Sequence, residues 1–454
     1  MVWLKMPPRY TSSLRQTLPF LFLCFQILSL LIFMFLISSD YSYDQKYLQR
    51  YPEFQDINVM IILGFGFLFA FLKRFGFSAV GFSILLVAFG LQWAIILNAF
   101  LFGHKDGLRV ISFTSLCTGL MSVLPALISF GAVLGKMNPV QLLMMTAFEM
   151  PVFTLNRYIM TKYLTIGDHI SMMHAHIFGA YFGLSVSWLN SSPSQSTKAN
   201  KEKENFETTS ELFSMFGALF MWMFWPSYNS VLLQDLVQKS NAIYNTYFAL
   251  AVSVVTVFSV SALVNQEGKL QMSHVRNGML AGGVAVGYSA FMVQYPWITM
   301  TIGFLAGLTS SLSRTFFQRT LNKVSLVHDT CGVHYIFGLP GLLGGITYSL
   351  LIISADYNSI EILGYQAIVG IGCILLTLAL SLVSGLITGF ILKCKLFRPP
   401  SEHHFFQDQP FWEATLTRTP AATEATVFLF SPQSMHSEHL RPSKKPDILE
   451  ENCG

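Results

Sequence analysis

From Leu18 onward the chain is built of successive runs of about twenty apolar residues, scarcely interrupted by charge, and no other feature restricts its fold so strongly. A helix of ~20 such residues spans the hydrocarbon core of a bilayer, which is ~30 Å thick. Runs of ~17 residues or more are found twelve times, near 18–39, 57–72, 77–101, 110–134, 139–155, 169–189, 212–233, 242–264, 279–293, 297–313, 331–353 and 367–392. The expected class is all-α, a polytopic membrane protein of about twelve transmembrane helices. Charged residues make up only 11% of the 454 positions, against ~25% in soluble domains. A net charge of +4 is too small and too scattered to suggest nucleic acid as a partner.

The first run, Leu18–Ser39, is too long for the apolar core of a signal peptide and no small-residue cleavage site follows it, so it reads as a permanent span. With the N-terminus placed in the cytoplasm, the loops on that side carry Lys5, Arg9, Arg15, Lys73, Arg74, Lys136, Lys198, Lys201, Lys203, Lys269, Arg276, Arg314, Arg319, Lys323, Lys393, Lys395 and Arg398. The opposite loops carry only Lys46, Arg50, Lys105, Arg109, Arg157, Lys162 and Lys239. This bias places both termini in the cytoplasm of a plasma-membrane protein. Residues 1–395 form the membrane domain, interrupted by a polar cytoplasmic linker near 191–211, and residues 396–454 form a tail with little expected order. The sequon at Asn190 falls in that linker, on the cytoplasmic side, and is expected to be unmodified.

Cys24, Cys117, Cys331 and Cys373 lie in apolar spans, which disfavours a disulfide framework. Cys394, between two lysines just after the last span, is a candidate for palmitoylation or a bland thiol.

Within this apolar frame the segment DHISMMHAHIFGAYFGL, Asp168 to Leu184, is out of place. An ionisable group at membrane depth costs at least ~2.5 kcal/mol, so its default meaning is a pathway or a binding site. On a helix, Gly179 and Gly183 share a face with His176, which turns that imidazole toward a close neighbour or a narrow lumen. His174 projects elsewhere, and His169 sits where solvent can satisfy it. Asp168 is placed to cap the span. Glu149 and Asp329 are further acids that can brace helix ends, and His334 enters the following span. Trp222, Trp225, Pro226 and Asn229 form a bulky stripe that suits core packing or a constriction. Glycines in LAGGVAVG and FGLPGLLGG mark close helix packing and carry no function by themselves.

His169, His174 and His176 with the pair His403–His404 superficially suggest a di-iron enzyme. The topology sets them on opposite sides of ~30 Å of hydrocarbon, beyond the reach of one metal site. No metal, cofactor or enzymatic activity is expected.

Several segments together resemble the ammonium transporter/Rh family, specifically its Rh branch. They include FQDINVMIILGFGFLFAFLKRFGFSAVG (54–81), GLQWAIIL (90–97), FGAVLGK (130–136), HIFGAYFGL (176–184), ALFMWMFWPSYNS (218–230), DTCGVHYIFGLPGLLGG (329–345) and PPSEHHFFQDQPFW (399–412), in family order along the chain. The resemblance implies a twelve-span protomer made of two inverted five-helix halves, and a trimer with one pore per subunit. It also implies a pore lined by an outer acid, two stacked aromatic gates and two facing histidines. Carried over by position, the outer acid is Asp168 and the first histidine His176. The second histidine position, six residues after Cys331, is Phe337, while His334 lies a turn earlier. One gate is Tyr228 and the other is Met121; apart from the resemblance, Glu149, Asp329, His334 and Asn229 are candidate supporting polar residues.

These departures resemble the Rh blood-group polypeptides of vertebrate erythrocytes. The preferred reading is a subunit of an Rh complex with weak or no conduction, in a homotrimer or a heterotrimer with a related Rh glycoprotein, with a cytoskeletal contact through the tail. The alternative is a working ammonia or ammonium channel with an atypical pore.

Overall fold

In the computed structural model, residues 17–39, 50–102, 109–191, 207–317, 327–354 and 360–413 are described. They build a helical protein in which six helices are long and apolar enough to cross a membrane: Leu18–Leu36, Gly76–Phe102, Phe113–Ala132, Leu236–Val264, His334–Ile353 and Gly364–Leu392. In chain order the elements are α1 (Leu18–Leu36), strand β1 (Ile37–Ser39), α2 (Tyr51–Val59) continued by a π-helical turn (Met60–Gly64) into α3 (Phe65–Leu68), and α4 (Gly76–Phe102). There follow strand β2 (Arg109–Ile111), α5 (Phe113–Ala132), α6 (Pro139–Lys162), α7 (Asp168–Met173), α8 (Ala175–Asn190), α9 (Thr208–Ser230) and α10 (Leu236–Val264). The remainder is α11 (Met272–Gly278), α12 (Ala281–Val286), α13 (Pro296–Leu312), a π turn over His334–Gly338, α14 (Leu339–Ser354) and α15 (Ile360–Leu392).

The outward faces are apolar. On α1 only Ser29 is buried, while Phe20 and Phe35 are 71% and 65% exposed. Such a surface suits lipid as solvent and would be a large unsatisfied patch in water. Interior packing relies on glycine. A Cβ on Gly179 would lie 2.6 Å from the Pro125 carbonyl oxygen, and one on Gly183 would lie 2.6 Å from Ser129 Cα, so α8 and α5 meet backbone to backbone. Gly282 makes the same kind of approach to α10 at Ala249.

Helix starts follow local chemistry. Ser112 and Ser115 form a reciprocal cap on α5, as do Asn138 and Gln141 on α6. Asp329 accepts the amides of Gly332, Val333 and His334 at 2.8–3.0 Å and so holds the start of the π turn, the bracing role expected of it.

Several expectations are revised. Four runs are not single α-helices: two contain a π turn, at Met60–Gly64 and at His334–Gly338, one is interrupted at His174, and the run expected over 279–293 starts earlier and divides into α11 and α12. Apolarity sets burial but does not report the hydrogen-bond register within a run. A short parallel pairing of Ile37–Ser39 with Arg109–Ile111 joins the helices. Arg157, read from the sequence as a loop charge, lies within α6 and is buried.

Beyond α15 the chain stays folded to Trp412. The Asn138 amide donates to the carbonyls of Phe397 and Arg398, and the Phe406 amide donates to Gly135 O. Gly135 has φ +79° and the Phe406 ring lies directly on it, so a side chain there would be strained twice over. Asp408 accepts the amides of Phe77 and Ser78 at 3.0 and 2.7 Å, capping α4 from across the chain, and Trp412 Nε1 donates to Ser78 Oγ. Cys394 is exposed. Residues 192–206, most of the expected linker, and 414–454, most of the expected tail, lie outside the described residues.

Candidate functional site

A one-residue turn at His174, its backbone still in the helical region, separates α7 from α8. His174 takes the turn position, and His176 then lies two residues into α8. His176 is fully buried. Its ring stacks between Phe337 of the π turn (centroids 6.2 Å apart, planes at 17°) and Trp225 of α9 (5.9 Å, 20°). Phe65 continues the file beyond Phe337 at 5.7 Å and 21°. Tyr228 meets His176 edge-on at 5.8 Å. Four helical segments distant in sequence thus deliver one column of near-parallel rings with a tyrosine beside it. His176, Tyr228 and Phe337, which the resemblance assigns to one pore, are brought together. Phe65 and Trp225 complete the column.

Hydrogen-bond counting fixes what the histidines offer. A carbonyl oxygen only accepts, so Nδ1–H of His176 donates to Met173 O at 3.0 Å, and in the neutral ring Nε2 is left as a lone-pair acceptor. By the same logic His174 donates from Nδ1 to Ile170 O and presents Nε2, while His169 donates from Nε2 to Gly287 O and presents Nδ1. None of these three acceptor nitrogens has a partner among the described residues, although all are buried. The Tyr228 and Tyr288 hydroxyls, Trp225 Nε1 and Asn229 Oδ1 are likewise buried without partners. They form one neighbourhood: Tyr288 meets His174 at 5.1 Å, and Gly287 lies against Asn229 Oδ1. Each orphaned group costs ~1–3 kcal/mol unless something bonds it, so such a concentration of them suits a path for small polar molecules.

Two expectations about this helix are corrected. His169 is 6% exposed with Nε2 bonded to Gly287 O, so it is a buried group and not a solvated one. Asp168 does not cap the span: the cap position is Gly167, which leaves the carboxylate free to pair with Arg157 Nη2 at 2.5 Å. Gly179 and Gly183 do lie at i+3 and i+7 from His176, yet they face α5 whereas the His176 ring faces α9 and Phe337.

Met121 is fully buried on α5, one turn before Pro125. Because Gly179 and Gly183 contact Pro125 and Ser129 in step, Met121 sits level with Ala175, next to His176 in sequence. Glu149 is buried in the middle of α6, not at a helix end. Its Oε1 lies 2.6 Å from Ser129 Oγ, which also lies 2.8 Å from Gly179 O, so it ties α6 through α5 to the glycine face of α8. Asn229 Nδ2 donates to Thr246 Oγ1 and Gly283 O, clamping α9 to α10 and α12. His334 meets Tyr181 edge-on at 5.9 Å, away from the ring column. Among the described residues no three His, Cys, Asp or Glu side chains converge to hold a metal.

Sequence reasoning missed Tyr288 and the role of Arg157. A lone tyrosine directly after the glycine run LAGGVAVG, and a lone arginine at the edge of an apolar run, were the available signals.

Comparisons agree with this architecture. A family model described as the Ammonium Transporter Family matches residues 20–403. The chain is 42% identical to the blood group Rh(D) polypeptide of Rattus norvegicus over 417 residues, covering 90% of this chain and 98% of that one. It is 40% identical to the ammonium transporter Rh type C of Xenopus tropicalis over 398 residues, 83% of this chain and 84% of that one. Among solved structures, Rh50 of Nitrosomonas europaea, described with the mechanism of conduction by the Rhesus protein family of channels, superposes with a TM-score of 0.70 at 31% identity. The match covers 85% of this chain and 96% of that one.

Proposed function

Because the chain belongs to the ammonium transporter family, in its Rh branch, we propose that it is a membrane channel for ammonia in which the substrate passes the imidazole of His176. The carrying observation is the set of buried acceptor nitrogens on His169, His174 and His176 that no group among the described residues bonds. Ammonia has N–H bonds to donate, and a lone-pair nitrogen in a dry site is a matched acceptor. The Tyr228 hydroxyl adds a group that can donate or accept. The ring column of Phe65, Phe337, His176 and Trp225 keeps the surroundings apolar, which disfavours a hydrated ion relative to a small neutral molecule. Kinship with proteins named for ammonium transport and for conduction supports the same reading. The reading includes twelve spans, a trimer of this chain or of this chain with a related Rh glycoprotein, and cytoplasmic placement of the 395–412 strap.

One observation favours a second reading, a complex subunit with weak or no conduction. Phe337 offers no hydrogen bond, is fully buried, and fills the space between Phe65 and His176. Proteoliposomes holding this chain alone, loaded with a pH dye and exposed to an ammonium gradient, decide between the two. The channel reading expects alkalinisation faster than in protein-free vesicles. Flux at the protein-free rate, rising only in Phe337→His, would establish the second reading instead.

A further inference from the structure

Arg157 is the most deeply buried cation of the four ion pairs among the described residues: its side chain is 2% exposed, while its partner Asp168 is 53% exposed. It rises from α6 beneath the start of α7. Nη2 donates to Asp168 Oδ1 at 2.5 Å, and Nη1 lies 3.4 Å from Asn98 Oδ1 and 3.5 Å from Ser122 Oγ. The guanidinium carbon sits 5.3 Å above the Phe102 ring. A guanidinium stays charged at any accessible pH. Once buried, it cannot give up its carboxylate without leaving an uncompensated charge.

We propose that Arg157 is a specificity-determining residue, a fixed internal counter-ion that withholds the Asp168 carboxylate from cations and so makes the channel mouth select a neutral amine over its protonated form. The inference rests on the channel reading above. An acid at the mouth of a pore would ordinarily concentrate ammonium by Coulomb attraction, which at short range is substantial even where solvent screens it. Here a cation reaching Asp168 also meets the guanidinium bonded to it, and the two contributions oppose. Asp56, at the same end of the bundle, accepts a hydroxyl bond from Ser227 and belongs to none of the described ion pairs, so it serves as an internal comparison.

The test uses the full chain in nanodiscs and radiolabelled methylammonium at a pH where the probe is a cation. Arg157→Gln is expected to bind it at least about tenfold more tightly than wild type, one decade of affinity. Arg157→Lys, which keeps the charge, is expected to match wild type. Asp168→Asn added to Arg157→Gln should erase the gain, whereas Asp56→Asn should not. If Arg157→Gln proves unstable, Arg157→Met, which keeps the aliphatic stem and drops the charge, takes its place in the same comparison. Binding by the neutral Arg157 variant no tighter than wild type, or a gain that survives Asp168→Asn, overturns the proposal. Binding is read without flux, so a failure to conduct would remove the channel reading and leave this comparison standing.

Discussion

Removing the Tyr228 hydroxyl separates a transport role from a structural one by the sign of a stability change. Tyr228 is fully buried, and its oxygen has no partner among the described residues, while its ring packs on His176 at 5.8 Å and Trp225 at 6.3 Å. Tyr228→Phe keeps those ring contacts and deletes only the polar atom. An unsatisfied buried hydroxyl costs ~1–3 kcal/mol, whereas a hydroxyl bonded within the protein contributes ~0.5–1.5 kcal/mol. The variant is therefore expected to be at least as stable as wild type, by up to ~3 kcal/mol if nothing in the lumen bonds the oxygen. Flux is expected to fall. Loss of one hydrogen bond worth ~0.5–1.5 kcal/mol to a passing molecule corresponds to a roughly two- to tenfold reduction. Unfolding in nanodiscs, compared side by side with wild type, gives the first quantity, and dye-loaded proteoliposomes give the second. A variant clearly less stable than wild type, with unchanged flux, would refute the reasoning, because the hydroxyl would then be a structural bond.

Two further outcomes follow from the packing. Gly183→Val places a side chain 2.6 Å from the Ser129 backbone, which cannot rotate away, so a loss of ~1–3 kcal/mol in stability is expected; Gly372→Val, at a site with no atom within 4 Å, should be neutral in the same melting comparison. Asp408→Ala removes the acceptor for the Phe77 and Ser78 amides, a capping loss of ~0.5–2 kcal/mol. Limited proteolysis should then cut the 395–412 strap sooner than in wild type, and equal cutting rates would show that the cap does not hold the strap.

Much of the fold was legible because burial in lipid leaves a simple record. Apolar runs of sufficient length marked the helices, and small residues such as Gly179 and Gly183 marked where helices close on one another. What the sequence concealed depends on hydrogen-bond register and on pairing between distant helices. The break at His174 sits in a run of ordinary helix formers, and nothing local distinguishes it. His176, Gly179 and Gly183 share the unbroken α8, yet the glycines close on α5 while the imidazole ring turns to α9 and Phe337, so periodicity placed the glycines and not the ring. Asp168 looked like a cap because Asp is common there, while its actual partner, Arg157, lies on the preceding helix and was counted with the loops. Phe337 and Tyr228 were identified through the resemblance. Their placement around His176 is visible only when four segments are seen together. Tyr288 escaped because a single tyrosine beside glycines has no pattern to betray it.

The central claim is that His176 accepts a hydrogen bond from ammonia in transit. The most direct measurement is the rate of internal alkalinisation of dye-loaded proteoliposomes under an ammonium gradient, with wild type and His176→Ala reconstituted at equal protein density. The account expects wild type to exceed protein-free vesicles and His176→Ala to fall to their rate. Full flux in His176→Ala would contradict it.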